Sequence, residues 1–106
     1  YFILYVGLMA IGDVVRPDHT TQPPDISPRF TSTYTEVNVG VPVRFIDTSV
    51  GDLTGWEWHF GDNTTSREQN PTHAYTNPGQ YTVWMTAYCK EGGVRETKEN
   101  YMTVLP

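Results

Sequence analysis

Between Val41 and Val104 the chain repeatedly alternates apolar residues with polar or smaller ones at a period of two. Trp56, Trp58 and Phe60 alternate with Glu57 and His59, and Tyr81, Val83, Met85, Ala87 and Cys89 alternate with Thr82, Trp84, Thr86 and Tyr88. Shorter runs stand at Val41, Val43 and Phe45 and at Met102 and Val104. Successive strand residues point to opposite faces, so each run makes a strand with one face for the core. Turn-forming clusters separate the runs: Ser49-Val50-Gly51-Asp52, Gly61-Asp62-Asn63, Asn77-Pro78-Gly79 and Glu91-Gly92-Gly93. Asn, Asp, Gly and Pro are what tight turns require. Short strands punctuated this way, with no helical period, predict an all-β antiparallel sandwich. With 106 residues, the chain supplies one such core and not two.

Three zones follow. Residues 1–15 are apolar and carry no charge until Asp13, residues 16–28 hold four prolines and read as an extended linker, and residues 29–106 hold the sandwich. The net charge of -5 argues against a nucleic-acid partner, since phosphates demand a basic footprint. The single cysteine, Cys89, excludes an intrachain disulfide framework and a cysteine-rich zinc site. On the inward parity near a strand end, it is expected to be a buried, inert thiol.

Within the sandwich zone stands Trp58-His59-Phe60-Gly61-Asp62-Asn63, followed by Asn70-Pro71-Thr72-His73-Ala74-Tyr75 and Pro78-Gly79-Gln80-Tyr81-Thr82-Val83. In order and spacing these resemble the W-D-F-G-D-G, N-P-T-H-x-Y and P-G-x-Y-x-V segments of polycystic-kidney-disease (PKD) domains. Val43 to Ser49 and Tyr101 to Val104 are similar to the family's strands on either side. The resemblance spans residues 28–105. It implies an immunoglobulin-like sandwich of about seven strands, non-catalytic and extracellular, serving as spacer, adhesion or interaction module in archaeal and bacterial surface proteins. It also implies structural roles for Trp58, Phe60, Gly61, Asp62, Pro71, His73, Tyr75, Gly79 and Tyr81. His59 and Asn63 depart from the family pattern, which has Asp and Gly there. Asn tolerates a left-handed backbone, so the second change is mild. Tyr75 is expected to pin a loop through its hydroxyl, as a tyrosine corner does.

The residues offer little for catalysis. His59, His73, Asp62, Ser49 and Ser66 could be grouped on paper, but no nucleophile elbow or oxyanion motif accompanies them. The three histidines, at 19, 59 and 73, lack metal-ligand spacing, and Asp47, Asp52 and Asp62 are read as turn caps rather than calcium ligands. No cofactor is expected. Asn63-Thr64-Thr65 is an N-glycosylation sequon on a predicted loop. Trp84 and Tyr88, opposite to the core parity, form an outward aromatic pair that suits a carbohydrate or protein ligand, or a cover from the rest of the chain.

The apolar segment is the oddity. Tyr1, Phe2, Ile3, Leu4, Tyr5, Val6, Leu8, Met9 and Ile11 put apolar groups on both strand parities and all round a helix. At fifteen residues it is short of the ~20 needed to span a bilayer. Three readings stand: an assembly element, helical or a donor strand; a strand of an upstream domain; or a membrane anchor. The first gives the leading expectation, a non-enzymatic extracellular structural protein that self-assembles into a cell-surface filament or layer as a homo-oligomer through residues 1–15. The alternative is an accessory PKD interaction module of a larger secreted hydrolase or adhesin.

Overall fold

The computed structural model describes residues 24–106. The expectations for residues 1–15, and for the linker as far as residue 23, lie outside the described residues. The described chain forms eight strands: β1 (Phe30–Ser32), β2 (Glu36–Asn38), β3 (Val43–Asp47), β4 (Gly55–His59), β5 (Thr65–Ser66), β6 (Thr72–His73), β7 (Gly79–Cys89) and β8 (Gly92–Leu105). They form two sheets, one in the order β1-β3-β6 and one in the order β2-β8-β7-β4-β5. The fold is the expected all-β sandwich, with two refinements. There are eight strands rather than about seven, because β5 and β6 are pairs of residues on either side of the Pro71 turn. One pairing is parallel: β2 lies along the end of β8, with Glu36 beside Thr103 and Asn38 beside Leu105.

The alternation of β7 sets the inner face. Val83, Met85 and Ala87 are wholly buried, and Trp58 lies opposite Met85 on β4. From the other sheet, Val43 and Phe45 are also wholly buried. Val41, of the same parity, falls before β3 and is exposed. The linker ends earlier than its composition suggests: Ser27 forms an antiparallel bridge with Val50, and Ile26 packs against the core.

Trp58 is the centre of this packing. Its indole meets Phe30 edge-on with ring centroids 5.1 Å apart, and Phe45 at 5.7 Å. Its Nε1 donates to the Glu68 carbonyl at 2.9 Å, so the buried polar atom is satisfied. Trp56 shares its parity but is only half-buried, and its Nε1 donates to Asp47 Oδ2 at 3.0 Å. Trp58→Ala deletes the largest fully buried side chain and should cost about 3–5 kcal/mol, measured by denaturant unfolding. A loss near zero would mean that the inner face is assigned to the wrong parity.

Candidate functional site

Two groups of polar and aromatic side chains stand out, one joining the sheets and one on the outer face of the five-stranded sheet. The first begins where β4 ends. Gly61 turns the chain at φ 90°, and a Cβ there would sit 2.4 Å from the Thr82 carbonyl oxygen, so only glycine fits. Asn63 follows at φ 70°, a left-handed conformation that Asn tolerates. Asp62 Oδ1 accepts from the Thr64 backbone N–H at 3.2 Å and from the Thr64 hydroxyl, while Oδ2 lies 2.8 Å from His73 Nε2. His73, on β6 of the opposite sheet, stacks on Phe60 at 4.3 Å and meets Tyr75 edge-on at 4.7 Å. The Tyr75 hydroxyl, fully buried, donates to the Phe60 carbonyl at 2.8 Å. Tyr81 stacks on Tyr75 at 4.5 Å and donates its hydroxyl to the Asn77 carbonyl at 2.7 Å. Pro71, also buried, accepts the Phe45 N–H, and Gly79 opens β7.

This group holds a threonine, a histidine and an aspartate, but not as a catalytic relay. A triad needs the nucleophile on one imidazole nitrogen and the carboxylate on the other. Here Thr64 Oγ1, at 3.3 Å, and Asp62 Oδ2 both approach the same Nε2. The geometry is that of a clamp. Burial pushes the Asp62 carboxyl up, but hydrogen bonds from Thr64 and His73 outweigh it and hold the carboxyl below its ordinary value. Burial, and then the charge of Asp62, pushes the Tyr75 phenol up.

The other aspartates are held apart from it. Asp47 Oδ1 accepts from the Ser49 N–H and its Oδ2 from Trp56 and Gln69. Among the described residues no three His, Cys, Asp or Glu side chains come together as a metal site. Cys89 is 8% exposed, and its thiol donates to Glu91 Oε1 at 3.2 Å beside a cavity of about 310 Å³ bordered by Asp25, Gly51 and Asp52.

The second group lies on the outer face of the five-stranded sheet. His59 is opposite Trp84 across β4 and β7, and the rings stack at 4.5 Å, 11° from parallel. The Arg95 guanidinium lies 5.2 Å over the same indole from β8, on the far side of β7. Trp84 is thus sandwiched between a histidine and an arginine, and its ring faces are occupied from within the chain. Its Nε1 is buried and has no hydrogen-bond partner among the described residues. Glu57 ties the neighbours together: Oε2 is 2.9 Å from His59 Nε2, Oε1 accepts from the Tyr88 hydroxyl at 3.2 Å, and Arg67 is 3.8 Å away. The hydrogen bond with His59 is the main reason that the Glu57 carboxyl lies below its ordinary value; burial opposes it, and the Tyr88 hydroxyl adds to it. His59, Gly61, Asn63, Thr64 and Trp84 border a pocket of about 130 Å³ at the end of this face, and Asn63 is exposed beside it.

Sequence alternation placed Trp84 and Tyr88 on this face but not Glu57 or Arg95 beside them. Glu57 could have been found, since it shares the outward parity of β4. Arg95 could not, because its position depends on the β7–β8 register.

A family model described as PKD domain matches residues 21–104. The chain belongs to the PKD domain family. Collagenase ColA of Bacillus cereus is 47% identical to this PKD domain over 49 residues, which are 46% of the chain and 5% of the collagenase. The PKD1 domain of the Vibrio cholerae metalloprotease PrtV superposes with a TM-score of 0.63 at 28% identity, over 74% of this chain and 95% of that one. A structure of carbohydrate-binding modules of the β-sandwich superfamily superposes with a TM-score of 0.72 at 22% identity, over 79% of this chain and 36% of that one, a likeness of fold. The chain thus spans about a twentieth of the collagenase that it matches and about a third of the carbohydrate-binding chain.

Two measurements check the clamp. Tyr75→Phe leaves a buried carbonyl without its donor and should cost about 1–3 kcal/mol in denaturant unfolding. An unchanged midpoint would show that the hydroxyl does not hold the loop. The second is pH. Because the folded Asp62 carboxyl titrates below its ordinary value of 3.8, its contribution is complete above that value and is lost as pH falls through the folded pKa. Asp62→Asn should therefore lower the thermal midpoint at pH 7 and show a smaller further drop between about pH 4 and pH 2 than the parent. Equal acid drops would assign the titration elsewhere.

Proposed function

We propose that this PKD domain is a non-catalytic accessory module of a larger secreted hydrolase or adhesin, acting outside the cell as spacer and docking surface. The observation that carries this reading is the alignment of nearly half the chain with a twentieth of a collagenase. A stretch of that size within so large a protein suits a module better than a catalytic body. The clamp supports it too, because its polar residues are spent on joining the two sheets. The assembly reading rests on residues 1–15, outside the described residues, and the collagenase and metalloprotease relatives favour the module over it.

The docking surface we propose is the outer sheet face around Glu57, His59, Trp84, Tyr88 and Arg95. It combines aromatic edges with hydrogen-bonding groups held in place by Glu57. That mixture suits the hydroxyls and apolar patches of a glycan, and the fold shared with carbohydrate-binding modules supports a glycan as the first partner class. With both faces of Trp84 covered, a sugar meets ring edges and the Tyr88–Glu57 pair rather than a bare indole. Retention on insoluble polysaccharides, with fibrillar collagen as the protein alternative, is the test. The parent should be retained on a polysaccharide, and Tyr88→Ala should weaken retention about tenfold with little change in the thermal melt. Retention on collagen alone would move the partner to protein; no retention on either would leave the spacer role.

Asn63, exposed in its turn, is the acceptor that we propose for an N-linked glycan in a glycosylating cell. Mass spectrometry of native material should find the modified peptide, and an unmodified one retires the idea.

A further inference from the structure

Among the described residues, strand β8 is longer than what pairs with it on its second side. β7 runs beside it from Gly92 to Val104, whereas β2 reaches only Thr103 to Leu105. Among the described residues no strand lies against the other edge of residues 92–99. An edge like this is a template for a further strand. Arg95, Thr97 and Glu99 are exposed along it, while Glu96 and Lys98 are half-buried and 3.8 Å apart. At Asn100 the backbone turns left-handed, with φ 51°, and the regular edge ends.

The edge has an unusual order of charge. Reading outward from Thr97, Glu96 is answered by Lys98 and Arg95 by Glu99, so that every charge has its opposite at the same distance on the other side. Consider two copies of this strand paired antiparallel about a two-fold axis through Thr97. Arg95 of each copy then faces Glu99 of the other, Glu96 faces Lys98, and Thr97 faces Thr97. Opposite charges placed directly across a pair stabilise it, and like charges destabilise it. The neighbouring registers fail this test. A shift of one residue sets Arg95 against Lys98 or Glu96 against Glu99. The next shift sets Glu96 against Glu96 or Lys98 against Lys98. Only the Thr97 register gives all four charged residues an opposite partner.

We propose that the open edge of β8 is a self-pairing interface, and that its partner is a second copy of this chain added antiparallel about Thr97. The two five-stranded sheets would then join into one. A two-fold contact of this kind is self-complementary by construction. With so few facing residues it falls well below the ~1,200 Å² of a stable interface, so the dimer is of the weak, transient class. Its Arg95–Glu99 charge pairs are solvent-exposed, so added salt weakens it.

Sedimentation of the full chain at low salt, over micromolar to near-millimolar concentrations, reads the proposal. The weight-average mass should rise toward the dimer and fall back at about 0.5 M salt. Arg95→Glu creates a glutamate facing Glu99, and Glu99→Arg an arginine facing Arg95. Each alone should weaken association at least tenfold. The two variants mixed should associate again, because each now presents what the other lacks, and a chain carrying both changes should regain the parental behaviour. Arg95 also covers Trp84, so the Glu96→Lys and Lys98→Glu pair provides the same reciprocal test away from that indole, with Lys98 lying instead over Phe30 and Tyr101. A parent that is monomeric throughout would overturn the proposal. So would association that is indifferent to these substitutions, which would place it on another surface, or mixtures of both pairs that associate no better than their components.

Discussion

Everything in this domain is organised around one join between its two sheets. β4 belongs to the five-stranded sheet and β6 to the three-stranded one, and side chains rather than a shared ladder hold them together at this end. His73 reaches from β6 to stack on Phe60 and bond Asp62, while the Tyr75 hydroxyl takes up the Phe60 carbonyl. That carbonyl lies just beyond β4, where the ladder stops and a buried acceptor would otherwise be costly. Gly61 makes the arrangement reachable, because its backbone passes Thr82 with no room for a side chain. The family motif is the sequence of this clamp.

The clamp also explains how the domain can present an outer face of fixed geometry. With Trp58, Phe45 and Met85 filling the space between the sheets, the outward residues of β4 and β7 stand on a rigid support. His59, in place of the family's usual aspartate, adds a ring that lies along Trp84, and Arg95 closes the other side. The departure from the family pattern therefore alters the outer surface, while the clamp on the inner side of the same strand is kept.

Much of this was legible in the sequence, because period two depends only on local strand geometry. It located β3, β4, β7 and the end of β8, and the motif resemblance singled out the residues that make up the clamp. What remained hidden was non-local. The three residues of β2 carry no signal that they will run parallel to β8. Between Tyr81 and Val83 the chain of β7 advances two residues while β8 advances four, from Met102 back to Lys98. That bulge rests on Asn100 in a left-handed conformation, with its N–H on Thr82 Oγ1, and a lone Asn before Tyr101 does not announce it. Equal parity puts Trp56 against the core as well, but does not show that it is only half-buried and turns its indole nitrogen to Asp47.

The central claim is that Asp62 and His73 act as one unit across the two sheets rather than as separate polar residues. A double-mutant cycle isolates that interaction from the rest of the core. The stabilities of the parent, Asp62→Ala, His73→Ala and the double variant would be measured by denaturant unfolding at pH 6. The clamp predicts that the second substitution costs much less once the first is made, with a coupling of about 1 kcal/mol or more. Losses that add to within about 0.3 kcal/mol would contradict it, and would mean that Asp62 and His73 act as separate polar residues.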